Sequence, residues 1–266
     1  MTLSGRTAEG ASAGHTLPRR VGLIVPSSNV TIETEVPAIL RYGRGDGALS
    51  FHAARARMRQ VTRGELSAMN AESMRATVEV ADAQPDVVVS ACLVALMAQG
   101  PGYHREAERE IYETLRGVGC IAPVLSSAGA LIEGLHSLGA SRIGLVTPYT
   151  RKLTELVANY LEHEGFTVCD TVSLDVPNNQ QVARLDPADL CTHWRRLDLA
   201  GADALVISAC VQMPSLPIIQ AVEDASGLPT VSAATATVWA LLRALSLSIP
   251  IPEAGQLLDP SRTHAR

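Results

Sequence analysis

RVGLIVPSSNVTIETE (20–35) recurs further along the chain as RIGLVTPYTRKLTELV (142–157). In each copy a β-branched apolar run stops at a proline, passes through a short polar turn and continues with helical periodicity, the signature of a strand feeding a helix. Working outward, PDVVVSAC (85–92) is matched by ADALVISAC (202–210), and APVLSSAGA (122–130) by LPTVSAATA (228–236). Strand propensity makes any two such units look alike, but it does not place Ser-Ala-Cys at the same strand end in both halves. The three matches are collinear, and their spacing drifts as loops of unequal length require. The sequence therefore predicts an α/β fold of two lobes related by a pseudo-twofold axis, each a short parallel sheet flanked by helices. The first lobe is placed at residues 19–127 and the second at 128–233. Residues 1–18 and 258–266 lack apolar periodicity and read as flexible tails.

Composition narrows the function. The 266 residues carry a formal charge of −5 and only 3% aromatics, and no basic run makes the electrostatic footprint of a nucleic-acid or anionic-membrane binder. No apolar run approaches a membrane span, and the first twenty residues show no secretory h-region. Five cysteines without a C-x-x-C spacing fit free thiols in a reducing, cytoplasmic compartment and give no support for structural zinc. There is no glycine-rich phosphate loop, so no metal, nucleotide or other cofactor is expected. A small-molecule substrate is the partner that remains.

In parallel α/β sheets ligands bind beyond the carboxyl ends of the strands, which is where Cys92 and Cys210 fall. Under the pseudo-twofold they flank one cleft from opposite sides. A strand-to-helix junction is also a helix N-terminus, whose dipole and free N–H groups favour a thiolate, and Pro214 suits the start of a helix directly after Cys210. A lone free cysteine is often only a small buried hydrophobe; the symmetric pair points to chemistry, whereas Cys120, Cys169 and Cys191 have no counterparts and read as packing or surface thiols. The turn Pro26-Ser27-Ser28-Asn29, its counterpart Pro148-Tyr149-Thr150, and Asn178-Asn179 offer small polar donors. Such groups cradle carboxylates without a cation, although the same residues serve ordinary turns and caps. His104 reads as a surface histidine, and Arg55, Arg57, Arg59 and Arg63 as a solvated stretch.

VGLIVPSSNVTIETEVP (21–37), the two Ser-Ala-Cys strand ends, GPGYH (100–104) and ACVQMPSLPII (209–219) resemble the maleate cis-trans isomerases of the aspartate/glutamate racemase superfamily, relatives of arylmalonate decarboxylase and of hydantoin racemases. The resemblance spans roughly residues 20–250. It implies two flavodoxin-like lobes with the site between them, the helix at 234–247 packing back on the first lobe, and a homodimer. It makes Cys92 the nucleophile and Cys210 the partner that manages a proton. Ser28, Asn29, Tyr149 and Asn179 become binders of a small dicarboxylate, with Leu93, Val94 and Val211 lending backbone amides. Racemases of the superfamily follow their cysteines with polar Cys-Asn-Thr and Cys-Thr-His. Here Leu-Val-Ala and Val-Gln-Met follow, which suits a flat carbon skeleton better than an ammonium group. The implied reaction is maleate to fumarate through a succinyl-cysteine. A two-thiol racemase of amino acids or hydantoins and a non-catalytic ligand-sensing domain are the alternatives.

Overall fold

A computed structural model describes residues 17–43 and 49–262. The first half of the chain runs β1 (Arg19–Pro26), α1 (Ile32–Tyr42), β2 (Leu49–Ala56), α2 (Arg63–Ala81), β3 (Val87–Ser90), α3 (Leu93–Met97), α4 (Tyr103–Gly117), β4 (Val124–Ser126) and α5 (Ser127–Ser137). The second runs β5 (Arg142–Thr147), α6 (Arg151–His163), β6 (Thr167–Ser173), α7 (Asn179–Val182), α8 (Pro187–His193), a 3-10 turn (Trp194–Arg196), β7 (Ala204–Ile207), α9 (Leu216–Ser226), β8 (Thr230–Val231) and α10 (Ala233–Ala244). The sheets are ordered β2-β1-β3-β4 and β6-β5-β7-β8, and every strand pair in them is parallel. The two orders are the same when the second is renumbered from its own first strand. The α/β fold with two parallel sheets is thus as the duplication predicts.

The central strands explain why the repeat was visible. Val21, Leu23, Ile24 and Val25 of β1, and Ile143, Leu145 and Val146 of β5, are buried on both faces, as parallel strands covered by helices must be. Register follows, with Val21 beside Val87 in one lobe and Ile143 beside Ala204 in the other. The glycine shared by both copies has a steric cause. A Cβ on Gly22 would lie 2.9 Å from Val80 Cγ2, and one on Gly144 would overlap the side chain of Leu199. The serines shared after the fourth strands are N-caps: Ser126 Oγ accepts from Gly129 N–H at 2.9 Å and Ser232 Oγ from Thr235 N–H at 3.2 Å, each satisfying a helix-end donor.

The edge strands β2 and β6 are absent from the sequence reading. Their residues are mostly half-buried and mixed in polarity, so they lack the apolar run that marks an inner strand. The helix predicted directly after Cys210 begins only at Leu216, with Pro217 in its first turn and Pro214 in the loop before it. α10 packs on α1 and α5, and α5 also touches α3 and α4. One apolar core therefore runs through both lobes. Of the tails, residues 1–16 and 263–266 lie outside the described residues. The stretch 258–262 is packed rather than loose, because Leu258 is buried and Arg262 pairs with Asp224 at 2.5 Å.

Candidate active site

The loops that leave β1, β2 and β3 meet those that leave β5, β6 and β7 around a cavity between the lobes. Cys92, Leu93 and Val94 line it from one side, Cys210 and Val211 from the other, with Asn29, Tyr149 and Asn179 between them. Ser28 does not line it. Its hydroxyl donates to Met58 O at 2.6 Å and accepts from Asn179 Nδ2 at 2.8 Å, so it orients Asn179. Pro26, Met58 and Gln212 complete the wall, and neither Met58 nor Gln212 was given a role from sequence. Among the described residues no arginine, lysine or histidine faces this space. The cavity is tight, with about 10 Å³ open to the centre of a water molecule, the room of one water. A larger hollow of about 650 Å³ between α3 and α6 contains none of these groups, and chemistry favours the smaller one.

Local structure places each donor. Asn29 Oδ1 caps α1 by accepting from Ile32 N–H at 3.1 Å, which leaves its amide N–H groups for a ligand oxygen. Arg55 holds this turn from behind, donating to Asn29 O at 2.8 Å and pairing with Glu33, so one member of the supposed solvated stretch buttresses the site. Cys92 is the N-cap of α3, and the N–H groups of Leu93 and Val94 in the first turn lack intrahelical acceptors. Tyr149 is 2% exposed and its hydroxyl donates to Ala209 O at 3.1 Å. Burial holds its pKa well above the usual value, so it stays a proton donor throughout the neutral range.

Both thiols run against the expectation that a helix N-terminus favours the thiolate. Burial pushes Cys92 up to about 12, against the opposing N–H of Ala95. Cys210 is also raised by burial, which outweighs the lowering effect of the Tyr149 hydroxyl beside it and of the backbone N–H groups at Gln212 and Met213. The physical reason is that α3 is only five residues long, and no helix begins at Cys210, so a weak dipole faces a large desolvation penalty. His104 is likewise not a surface residue: it is buried and its Nδ1 lies 2.5 Å from the Tyr160 hydroxyl.

A second set of contacts ties the lobes together beside Cys210. Glu35 on α1 accepts from Ser215 N–H at 2.5 Å and Leu216 N–H at 2.7 Å, capping α9 of the opposite lobe. Desolvation raises its pKa against those same donors. Gln212 reaches back to the Ser28–Thr31 turn. These partners are separated by about 180 residues in sequence, and no local pattern announces them.

Two like lobes, each presenting one thiol to a shared cavity walled by amides and apolar side chains, define a two-cysteine α/β enzyme that handles a small anion. The chain belongs to the arylmalonate decarboxylase family, whose model matches residues 21–258. It is 51% identical over 242 residues to a maleate isomerase of Pseudomonas putida, covering 90% of this chain and 97% of that one. A Nocardia farcinica maleate cis-trans isomerase variant, solved with a covalently bound succinylcysteine intermediate, superposes with a TM-score of 0.89 at 49% identity, covering 91% of this chain and 98% of the other. The maleate isomerase of Pseudomonas putida S16, solved with maleate in a Cys→Ala variant, gives 0.88 at 45% identity over 90% and 97%. Among the described residues no helix is long and apolar enough to cross a membrane.

Proposed function

We propose that the chain converts maleate to fumarate through a covalent succinyl adduct on Cys92. The observation that carries this is the pair of thiols, at equivalent strand ends, facing one cavity lined by neutral N–H and O–H donors and by apolar side chains. A racemase acting on an amino acid would bring an ammonium group into this space, where among the described residues no carboxylate lines the wall to receive it.

In the reaction the Cys92 sulfur bonds to one alkene carbon while the π electrons take up a proton from Cys210 at the other. The proton leaving Cys92 passes to the Cys210 sulfur, so the charge of the cavity is unchanged. The former double bond is now single and rotates. As the carbon–sulfur bond breaks, Cys210 returns its proton to the departing Cys92 sulfur and takes one from the neighbouring carbon in its place, and the trans alkene departs. Tyr149, Asn29, Asn179 and the amides of Leu93, Val94 and Val211 hold the carboxylates and the charge that develops on the one adjacent to the reacting carbon. Ser28 contributes by fixing Asn179. The lobes at 19–127 and 128–233 each supply one thiol, and they must part to admit a four-carbon dicarboxylate. Unpaired thiols support action in a reducing cytoplasm, and the family resemblance supports a homodimer, which sedimentation of the purified chain tests.

Incubation with maleate followed by proton NMR should show fumarate. Cys92→Ser should abolish turnover, because a serine hydroxyl is far less nucleophilic than a thiol sulfur. Cys210→Ser, quenched with maleate present, should carry the added mass of one maleic acid on Cys92. Exchange of a substrate carbon-bound hydrogen with solvent and no adduct would indicate a racemase instead.

A further inference from the structure

We propose that Gln212 is the positioning residue that sets the two carboxylate-binding asparagines at their working separation, an inference that rests on the dicarboxylate reading above. Gln212 lines the cavity, yet its amide has nothing left to offer a substrate. Oε1 accepts from Val30 N–H at 2.9 Å and Thr31 N–H at 3.3 Å. Nε2 donates to Ser28 O at 2.9 Å and Asn179 O at 3.0 Å. Both lone pairs and both protons are used, and the partners fix which end is oxygen, since a flipped amide would set donors against donors.

The pattern of partners shows what is being held. Asn29 lies between two of them, with Ser28 tied on one side and Val30 on the other. Asn179 is tied through its own carbonyl, and its side chain is aligned by the Ser28 hydroxyl. Thr31 Oγ1 adds a bond to Gln212 O at 2.7 Å, so the clamp is anchored at its backbone as well. One side chain, two residues beyond Cys210, thus registers the carboxylate-binding turn of one lobe against that of the other and against the thiol. A flat dicarboxylate gripped at both ends is sensitive to that separation, because misplacement by about an ångström costs on the order of 100-fold in rate.

The test compares the intact chain with Gln212→Met, which keeps length and packing but none of the side-chain bonds, and Gln212→Glu, whose second oxygen would face two carbonyls. With maleate as substrate, Gln212→Met should lose about 100-fold in kcat/KM. In an Asn179→Ala background the same change should cost less by about tenfold or more, since a group acting through a missing partner has little left to lose. Gln212→Glu should be impaired at pH 8 and regain activity toward pH 5, where a protonated carboxyl again donates to one carbonyl, while the intact chain shows no such rise. Thermal melts establish that the variants are folded; if Gln212→Met does not fold, the pH profile of Gln212→Glu decides, and a flat one overturns the proposal. Variants within about threefold of the intact chain, or equal losses in both backgrounds, overturn it too. An intact chain inert toward maleate would instead overturn the substrate reading, and this inference with it.

Discussion

The protonated state of Cys92 is open to direct measurement by alkylation. With its pKa pushed up to about 12 by burial, roughly one Cys92 in 30,000 is a thiolate at pH 7.5, against about one in ten for an unperturbed cysteine near 8.5. The resting thiol should therefore react with iodoacetamide about three orders of magnitude more slowly than glutathione in the same tube. Peptide mapping by mass spectrometry over a time course measures this, and the Cys92 rate should climb about tenfold per pH unit while the chain stays folded. Turnover should behave differently. Because the proton leaving Cys92 is taken up by Cys210 inside the cavity, kcat/KM for maleate should stay nearly level from pH 6 to 9. Alkylation of Cys92 faster than glutathione would refute the burial argument. A kcat/KM that rose in step with the alkylation rate would refute proton transfer within the cavity.

Glu35→Ala leaves the buried N–H groups of Ser215 and Leu216 without their acceptor and should cost about 2–6 kcal/mol in urea unfolding at 1–3 kcal/mol per orphaned donor. Since the folded pKa of Glu35 is raised above 4.5, its ionised form destabilises the native state, and that cost fades as pH falls from the folded value toward 4.5. The intact chain should thus gain stability relative to Glu35→Gln over that window, and the opposite slope would contradict the sign. Gly22→Ala forces a Cβ against the stiff side chain of Val80 and should destabilise by about 1–3 kcal/mol by thermal melt. Exhaustive dialysis against a chelator should leave maleate turnover intact, and activity restored by one divalent ion would overturn the expectation of a metal-free reaction.

The sequence by itself determined the parts of the molecule whose cause is local or repeated. Inner strands buried on both faces must be continuous apolar runs, so β1, β3, β5 and β7 were legible, and duplication exposed the paired thiols. Edge strands carry no such constraint, because half their surface is open to water; β2 and β6 were lost for that reason. Tertiary structure alone decided what depends on distance through space. Glu35 capping α9, Gln212 clamping the Ser28–Thr31 turn and Arg55 behind Asn29 join residues that sequence separates by 26 to 184 positions. It also reversed the electrostatics of the thiols: a strand end followed by a helix reads as a site for a thiolate, but the closeness of the opposite lobe excludes water, and desolvation there exceeds what a one-turn helix can offset.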